Sequence, residues 1–139
     1  MTPRADLTGY LTRYPREAAL SDEDPAAVLD RYHTPDYEVV TDGVRLDRQR
    51  LLDHIRPARK QVADVRVEVD QALVDGDQVA VRYRLVAQMR KGRTVTSEIY
   101  MFGELSADGR LRRAVQATRT IPSDPFEQTH AGTPGPGRR

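Results

Sequence analysis

The chain contains no cysteine, which removes disulfides, thiolate metal sites and cysteine nucleophiles from consideration. Long apolar runs are missing too. No stretch approaches the roughly 18 residues of a membrane span, and residues 1–20 lack the apolar segment of a secretory signal. The expectation is a cytoplasmic protein. Nor does one sign of charge dominate: 22 Lys and Arg stand beside 21 Asp and Glu, for a formal net charge of +1. The two signs alternate along the chain, whereas a nucleic-acid module concentrates its cations on one face. The histidines fit no common metal spacing. There is no glycine-rich phosphate loop and no serine nucleophile elbow. No metal, cofactor, nucleic acid or membrane partner is therefore expected.

What remains is a chain of 139 residues, the size of one domain, long enough to bury a core without covalent staples. Thr2-Pro3 reads as a helix N-cap with proline at the first helical position. Leu7, Tyr10, Leu11, Tyr14 and Ala18 then recur at helical spacing, with Pro15 expected to kink or divide the helix. Asp24-Pro25 repeats the capping signal ahead of Val28, Leu29 and Tyr32, and Thr34-Pro35 ends that second helix. Tyr37 to Thr41 reads as a short strand stopped by Asp42-Gly43. A third helix runs from about Arg48 through Leu51, Leu52 and Ile55, with Pro57 expected to interrupt it.

From Asp64 to Ile121 the pattern changes to alternation, clear in the first three segments and less clean in the fourth, broken at Asp75-Gly76, Lys91-Gly92 and Asp108-Gly109. Four successive strands are predicted. Val65, Val67, Val69, Gln71 and Leu73 share one face of the first; Val79, Val81, Tyr83, Leu85, Ala87 and Met89 share one face of the second. Val95, Ser97, Ile99, Met101 and Leu105 do so in the third. The fourth sets Leu111, Arg113, Val115, Ala117 and Arg119 against Arg112, Ala114, Gln116 and Thr118. The predicted class is α+β: a curved antiparallel sheet wrapped around the N-terminal helices as a cone-shaped barrel, enclosing a hydrophobic cavity. Residues 1–121 form the one domain, and 122–139, with Pro-Gly-Pro-Gly at 134–137, read as a disordered tail. Tyr100 and Phe102 fall on the outer face of the third strand among Arg82, Arg84 and Glu98. Such a patch predicts a homodimer packed sheet against sheet.

The segments Arg31-Tyr-His-Thr-Pro-Asp-Tyr37, Asp42-Gly-Val-Arg-Leu-Asp-Arg48, Val74-Asp-Gly-Asp-Gln-Val-Ala-Val-Arg82 and Phe102-Gly-Glu-Leu-Ser-Ala-Asp-Gly-Arg-Leu111 carry a resemblance. In their order the chain resembles the SnoaL-like branch of the nuclear transport factor two-like superfamily, from Asp24 to about Ile121. The resemblance implies a cavity for an apolar small molecule and, often, a dimer through the sheet. It also points to secondary metabolism: polyketide cyclases, ketosteroid isomerase-like enzymes and epoxide hydrolases belong to it, as do members with no known reaction. Isomerase-type relatives need a carboxylate base near the first strand, and Asp42 lies near that position, although an Asp-Gly pair also serves as a turn. Met101 stands where their acid partner is expected.

On the residues themselves, the inward faces of the four strands carry no carboxylate. Acid/base chemistry is therefore expected from Asp42 or His54, the latter flanking the apolar stripe of the third helix. His33 is the other histidine of the folded part, with a hydrogen bond inside the Thr34-Pro35-Asp36 turn as its alternative. Tyr14, Tyr83 or Arg119 would hold a developing oxyanion. Tyr32, Tyr83, Ser97, Met101 and Arg119 would contact the substrate. The expected activity is a cofactor-free cyclase, isomerase or dehydratase working on an apolar carbonyl compound. A ligand-binding protein without turnover, or a dimerisation module, would have the same fold.

Overall fold

Three aspartates start the three helices. In the computed structural model, which describes residues 1–122, the side chains of Asp6, Asp24 and Asp47 accept from the backbone N–H groups of Gly9, Ala26 and Arg50. Each satisfies one of the donors that a helix leaves unpaired at its N-terminus. The helices they open are α1 (Leu7–Leu20), α2 (Pro25–Tyr32) and α3 (Arg48–Gln61). Thr2-Pro3 thus lies one turn before the first helix, which is capped by Asp6. Pro15 and Pro57 sit inside α1 and α3 without dividing them. Tertiary contacts hold both ends: the Arg59 guanidinium donates to the carbonyls of Ala18 at 2.8 Å and Glu23 at 2.6 Å.

The strands are β1 (His33–Thr41), β2 (Val44–Asp47), β3 (Val62–Asp75), β4 (Gln78–Met89), β5 (Thr94–Leu105) and β6 (Leu111–Ile121). They form one sheet in the order β2-β1-β6-β5-β4-β3. β1 starts four residues earlier than the alternation indicated, and β2 is an additional strand. Asp42 (φ 50°) and Gly43 (φ 85°) both adopt left-handed backbone, the geometry of a tight hairpin turn between β1 and β2. The sheet is curved but not closed into a barrel, since β2 and β3 remain as edges, and it is not wholly antiparallel, because β1 runs parallel to β6.

A bulge between Val69 and Gln71 changes the face of everything that follows in β3. Val65, Val67 and Val69 pair with Ala87, Leu85 and Tyr83 on the concave side. Gln71 and Leu73 then pair with Arg82 and Ala80 on the convex side. The inward placement expected for Gln71 and Leu73 is therefore reversed: one extra residue turns each later side chain over. The core lies between α1, α2 and the concave face, built on Leu7, Leu11, Val39, Val79, Val81, Ile99, Met101, Leu105 and Leu111 around a group of tyrosines. The tail expected from Pro122 onward falls, from residue 123, outside the described residues. Among the described residues no helix is long and apolar enough to cross a membrane.

Candidate functional site

Every tyrosine except Tyr100 gathers at the core, around one histidine. Tyr10 and Tyr14 project from α1, Tyr32 from the end of α2, Tyr37 from β1 and Tyr83 from β4. His33, at the α2–β1 junction, is in their midst, with ring centroids 4.3 Å from Tyr37, 4.7 Å from Tyr14 and 5.5 Å from Tyr10. Helical spacing puts Tyr10 and Tyr14 on one face of α1, their rings 5.8 Å apart and nearly parallel. Strand alternation aims Tyr37 and Tyr83 into the same space.

The hydrogen bonds of His33 determine its tautomer. Its Nδ1 lies 2.8 Å from the Leu29 carbonyl, which only accepts, so Nδ1 carries the proton. Nε2 is therefore a lone pair, and it accepts from the Tyr10 hydroxyl at 2.8 Å. Burial lowers the pKa of His33 from 6.5 to about 4, so the ring is neutral at physiological pH. The Tyr10 proton points at His33, and its oxygen keeps lone pairs for another donor.

Tyr14, Tyr37 and Tyr83 differ from Tyr10 in one respect. Among the described residues their hydroxyls make no hydrogen bond, yet no buried side-chain nitrogen or oxygen lacks a partner there. Both hold only if these three oxygens open on space that a water-sized molecule reaches. Burial pushes the Tyr83 phenol up to about 12 and raises Tyr14 and Tyr37 further. All three stay protonated at neutral pH and act as donors. Toward β6 and the β1–β2 turn the concave face is less covered. Leu85, Ser97 and Gln116 are half-buried, and Thr118 and Thr120 are exposed. The concave face thus presents an aliphatic wall, a group of phenols and a hydroxyl-lined margin toward β6.

The expected site residues divide into two groups. Tyr14 and Tyr83 belong to the group of phenols, and Ser97 and Met101 stand on the concave wall opposite Leu85 and Val81. Asp42 is an exposed turn residue whose carboxylate is taken up by Thr118, accepting from its backbone N–H at 2.8 Å and from its hydroxyl. These bonds hold its pKa below the ordinary value. His54 lies exposed on α3, its Nδ1 2.6 Å from the Arg50 carbonyl of its own helix. The Tyr32 hydroxyl is 2.9 Å from both carboxylate oxygens of Glu17, at the side of the cluster.

Arg119 is on the convex face. Strand pairing sets it beside Glu98, whose carboxylate it meets at 3.0 Å; Tyr100 donates to the same carboxylate at 3.0 Å. That ion pair places Arg119 away from the concave face. Sequence reading also missed Tyr10 and Tyr37 as members of the site. Tyr10 sits in the same helical stripe as Tyr14, and Tyr37 opens the predicted first strand, so the signal was present but indistinguishable from ordinary core packing.

A curved open sheet with helices packed on its concave side is the nuclear transport factor two-like fold. The chain belongs to the SnoaL-like domain family, whose model matches residues 11–114. Solved structures agree at the level of fold. One is an NTF2-like protein of unknown function from Exiguobacterium sp., 16% identical, covering 81% of this chain and 97% of that one with a TM-score of 0.65. Another is IdmH of Streptomyces antibioticus, described as a candidate polyketide cyclase, 16% identical over 84% and 91% of the two chains with a TM-score of 0.62. A third is a Catenulispora acidiphila protein with a ketosteroid isomerase-like fold, in complex with trimethylamine. It is 12% identical over 84% and 85%, with a TM-score of 0.60. None of the curated proteins matches the chain.

Proposed function

We propose that the concave side forms a chamber with the phenols as its floor, which binds an apolar carbonyl compound and stabilises its enolate, the chemistry of a cofactor-free cyclase or isomerase. The observation that carries this reading is the set of three protonated phenols, Tyr14, Tyr37 and Tyr83, whose hydroxyls have no partner among the described residues and are not sealed from solvent. Donors fixed in a water-poor site favour an oxygen on which charge develops. Tyr10 and His33 supply the proton acceptor. As a C–H bond beside the carbonyl breaks, its proton passes to the Tyr10 oxygen, the Tyr10 proton passes to His33 Nε2, and the electron pair moves onto the carbonyl oxygen. The negative charge formed nearby raises the otherwise low proton affinity of His33. In this reading Asp42 and His54 stay out of the reaction.

A naphthol tests the floor, because its phenolate mimics an enolate and its fluorescence reports ionisation. The expected result is saturable binding that weakens about tenfold or more in each of Tyr14→Phe and Tyr83→Phe, the equivalent of one lost hydrogen bond to a charged oxygen. Equal affinity in wild type and the double variant would sink the reading. The alternative, a binding protein without turnover, draws support from the absence, among the described residues, of a carboxylate on the concave wall. Deuterium exchange at carbon beside the carbonyl of a bound ketone, followed by NMR, separates the two readings.

The outer face suits a second copy of the chain. Phe102 is 70% exposed, with Leu73, Val115 and Tyr100 around it. A two-fold axis along the strands between β4 and β5 would set Arg84 of one protomer against Glu98 of the other. It would likewise set Glu68 of β3 against Arg119 of β6 and Asp75 of β3 against Arg113 of β6. That charge complementarity supports sheet-on-sheet packing. Sedimentation velocity is expected to give a dimer at micromolar concentration and a monomer for Phe102→Glu; a wild-type monomer would refute the arrangement.

A further inference from the structure

The near-zero net charge conceals a segregation. Arginines in all four quarters of the molecule, from Arg4 to Arg119, are paired with carboxylates. Among the described residues, the cations without a carboxylate at salt-bridge distance fall on α3 and on the β4–β5 turn. Lys60, Arg90, Lys91 and Arg93 line a single depression of about 480 Å³, together with Gln61 and Met89 and with no acidic side chain. Lys60 alone is explained by its place in the last turn of α3, where a cation complements the helix dipole. The three cations of the turn are not.

The depression is built on fixed backbone. The Arg90 N–H donates to the Gln61 carbonyl at 2.8 Å, the Met89 N–H to the Arg93 carbonyl at 2.8 Å and the Gly92 N–H to the Met89 carbonyl at 3.1 Å. Gly92 adopts φ 89°, which a larger residue resists. From Met89 to the Tyr83 floor, β4 runs about 20 Å along the concave side at the usual rise per residue. Between them lie Leu85 and Ala87.

We infer that this depression binds the phosphates of a coenzyme A-type thioester, whose extended pantetheine arm carries the acyl group along β4 to the phenols. Several phosphates answer several unpaired cations, and an apolar strip leads from the charged end to the site that holds the carbonyl. The inference rests on the chamber reading above and names its substrate class.

Calorimetry with free coenzyme A, an acyl-coenzyme A and inorganic pyrophosphate tests it, with naphthol displacement as a second readout. Coenzyme A is expected to bind at low salt, to weaken as salt rises, and to lose at least tenfold in affinity in the exposed triple variant Lys60→Gln/Arg90→Gln/Arg93→Gln. That variant should bind naphthol as wild type does. Acyl-coenzyme A should displace naphthol where free coenzyme A does not. No coenzyme A binding, or binding unchanged in the triple variant, overturns the inference. So does pyrophosphate binding as tightly as the thioester without any displacement. Loss of naphthol binding in wild type would instead strike the chamber reading, while coenzyme A binding would still report on the basic depression.

Discussion

Lowering the pH from 6.5 to about 5 costs the protein about 2 kcal/mol of folding stability through His33, a cost that reaches about 3 kcal/mol near pH 4. The fold holds this ring neutral, so the unfolded chain binds the proton more readily. The contribution is fully present above the ordinary histidine value of 6.5 and is lost as pH falls toward about 4. Carboxylates held low by hydrogen bonds, such as Asp108, which accepts from the Ser106 hydroxyl and from Arg110 and has its pKa near 2, lose their share only at lower pH. The upper part of the acid limb therefore belongs to His33.

Urea midpoints measured across this range check the expectation, provided the slope with denaturant stays constant. In His33→Phe the Tyr10 hydroxyl and the Leu29 carbonyl lose their partner, so the variant starts about 1–3 kcal/mol lower for each buried group left unpaired. Its stability should nevertheless be flat between pH 6.5 and 5. A wild-type curve without the drop, or a variant that retains it, would show that the ring is not buried neutral.

The second large effect lies beneath that histidine. Leu111 is fully buried, pairs in register with His33 across β1 and β6 and with Leu105 across β5. Its Cδ1 packs 3.1 Å from where a Cβ on Gly103 would stand, so the neighbouring strand has no side chain with which to refill a hole. Leu111→Ala should cost about 2–5 kcal/mol. In the Phe102→Glu background, which keeps the chain monomeric, Leu73→Ala should cost less than about 0.5 kcal/mol, because Leu73 is 64% exposed on the convex face of the single chain. Thermal or chemical unfolding of the two variants side by side decides it. A similar loss in both would put Leu73 back inside and remove the β3 bulge from the account.

That pair of leucines shows how far one-dimensional reading reaches. Alternation found β4 and β5 with their faces correct, so Tyr83, Ser97, Met101, Tyr100 and Phe102 were assigned as they stand. It failed in β3 beyond Val69, since a bulge adds one residue without leaving a compositional mark. Arg119 shows the same gap. Alternation grouped it with Leu111, but the shift in pairing between Leu111 and Arg113 turns the rest of β6 over, and Glu98, the partner that holds Arg119 outside, lies 21 residues away. Asp42 was legible as a turn residue; its bonds to Thr118 depend on the parallel pairing of β1 with β6, which separates partners by 76 residues.

The sequence by itself determined the family, the order of helices and strands, and an inner wall without carboxylates, because periodicity and turn chemistry are local. Tertiary structure alone decided that Tyr10 and His33 form a bonded pair, that the phenols of Tyr14, Tyr37 and Tyr83 gather on the concave side, and that unpaired cations of α3 and the β4–β5 turn line one depression. Each of these brings together side chains from separate elements. Long-range pairing, curvature and one inserted residue set those distances, and none of them is a property of neighbouring residues in the chain.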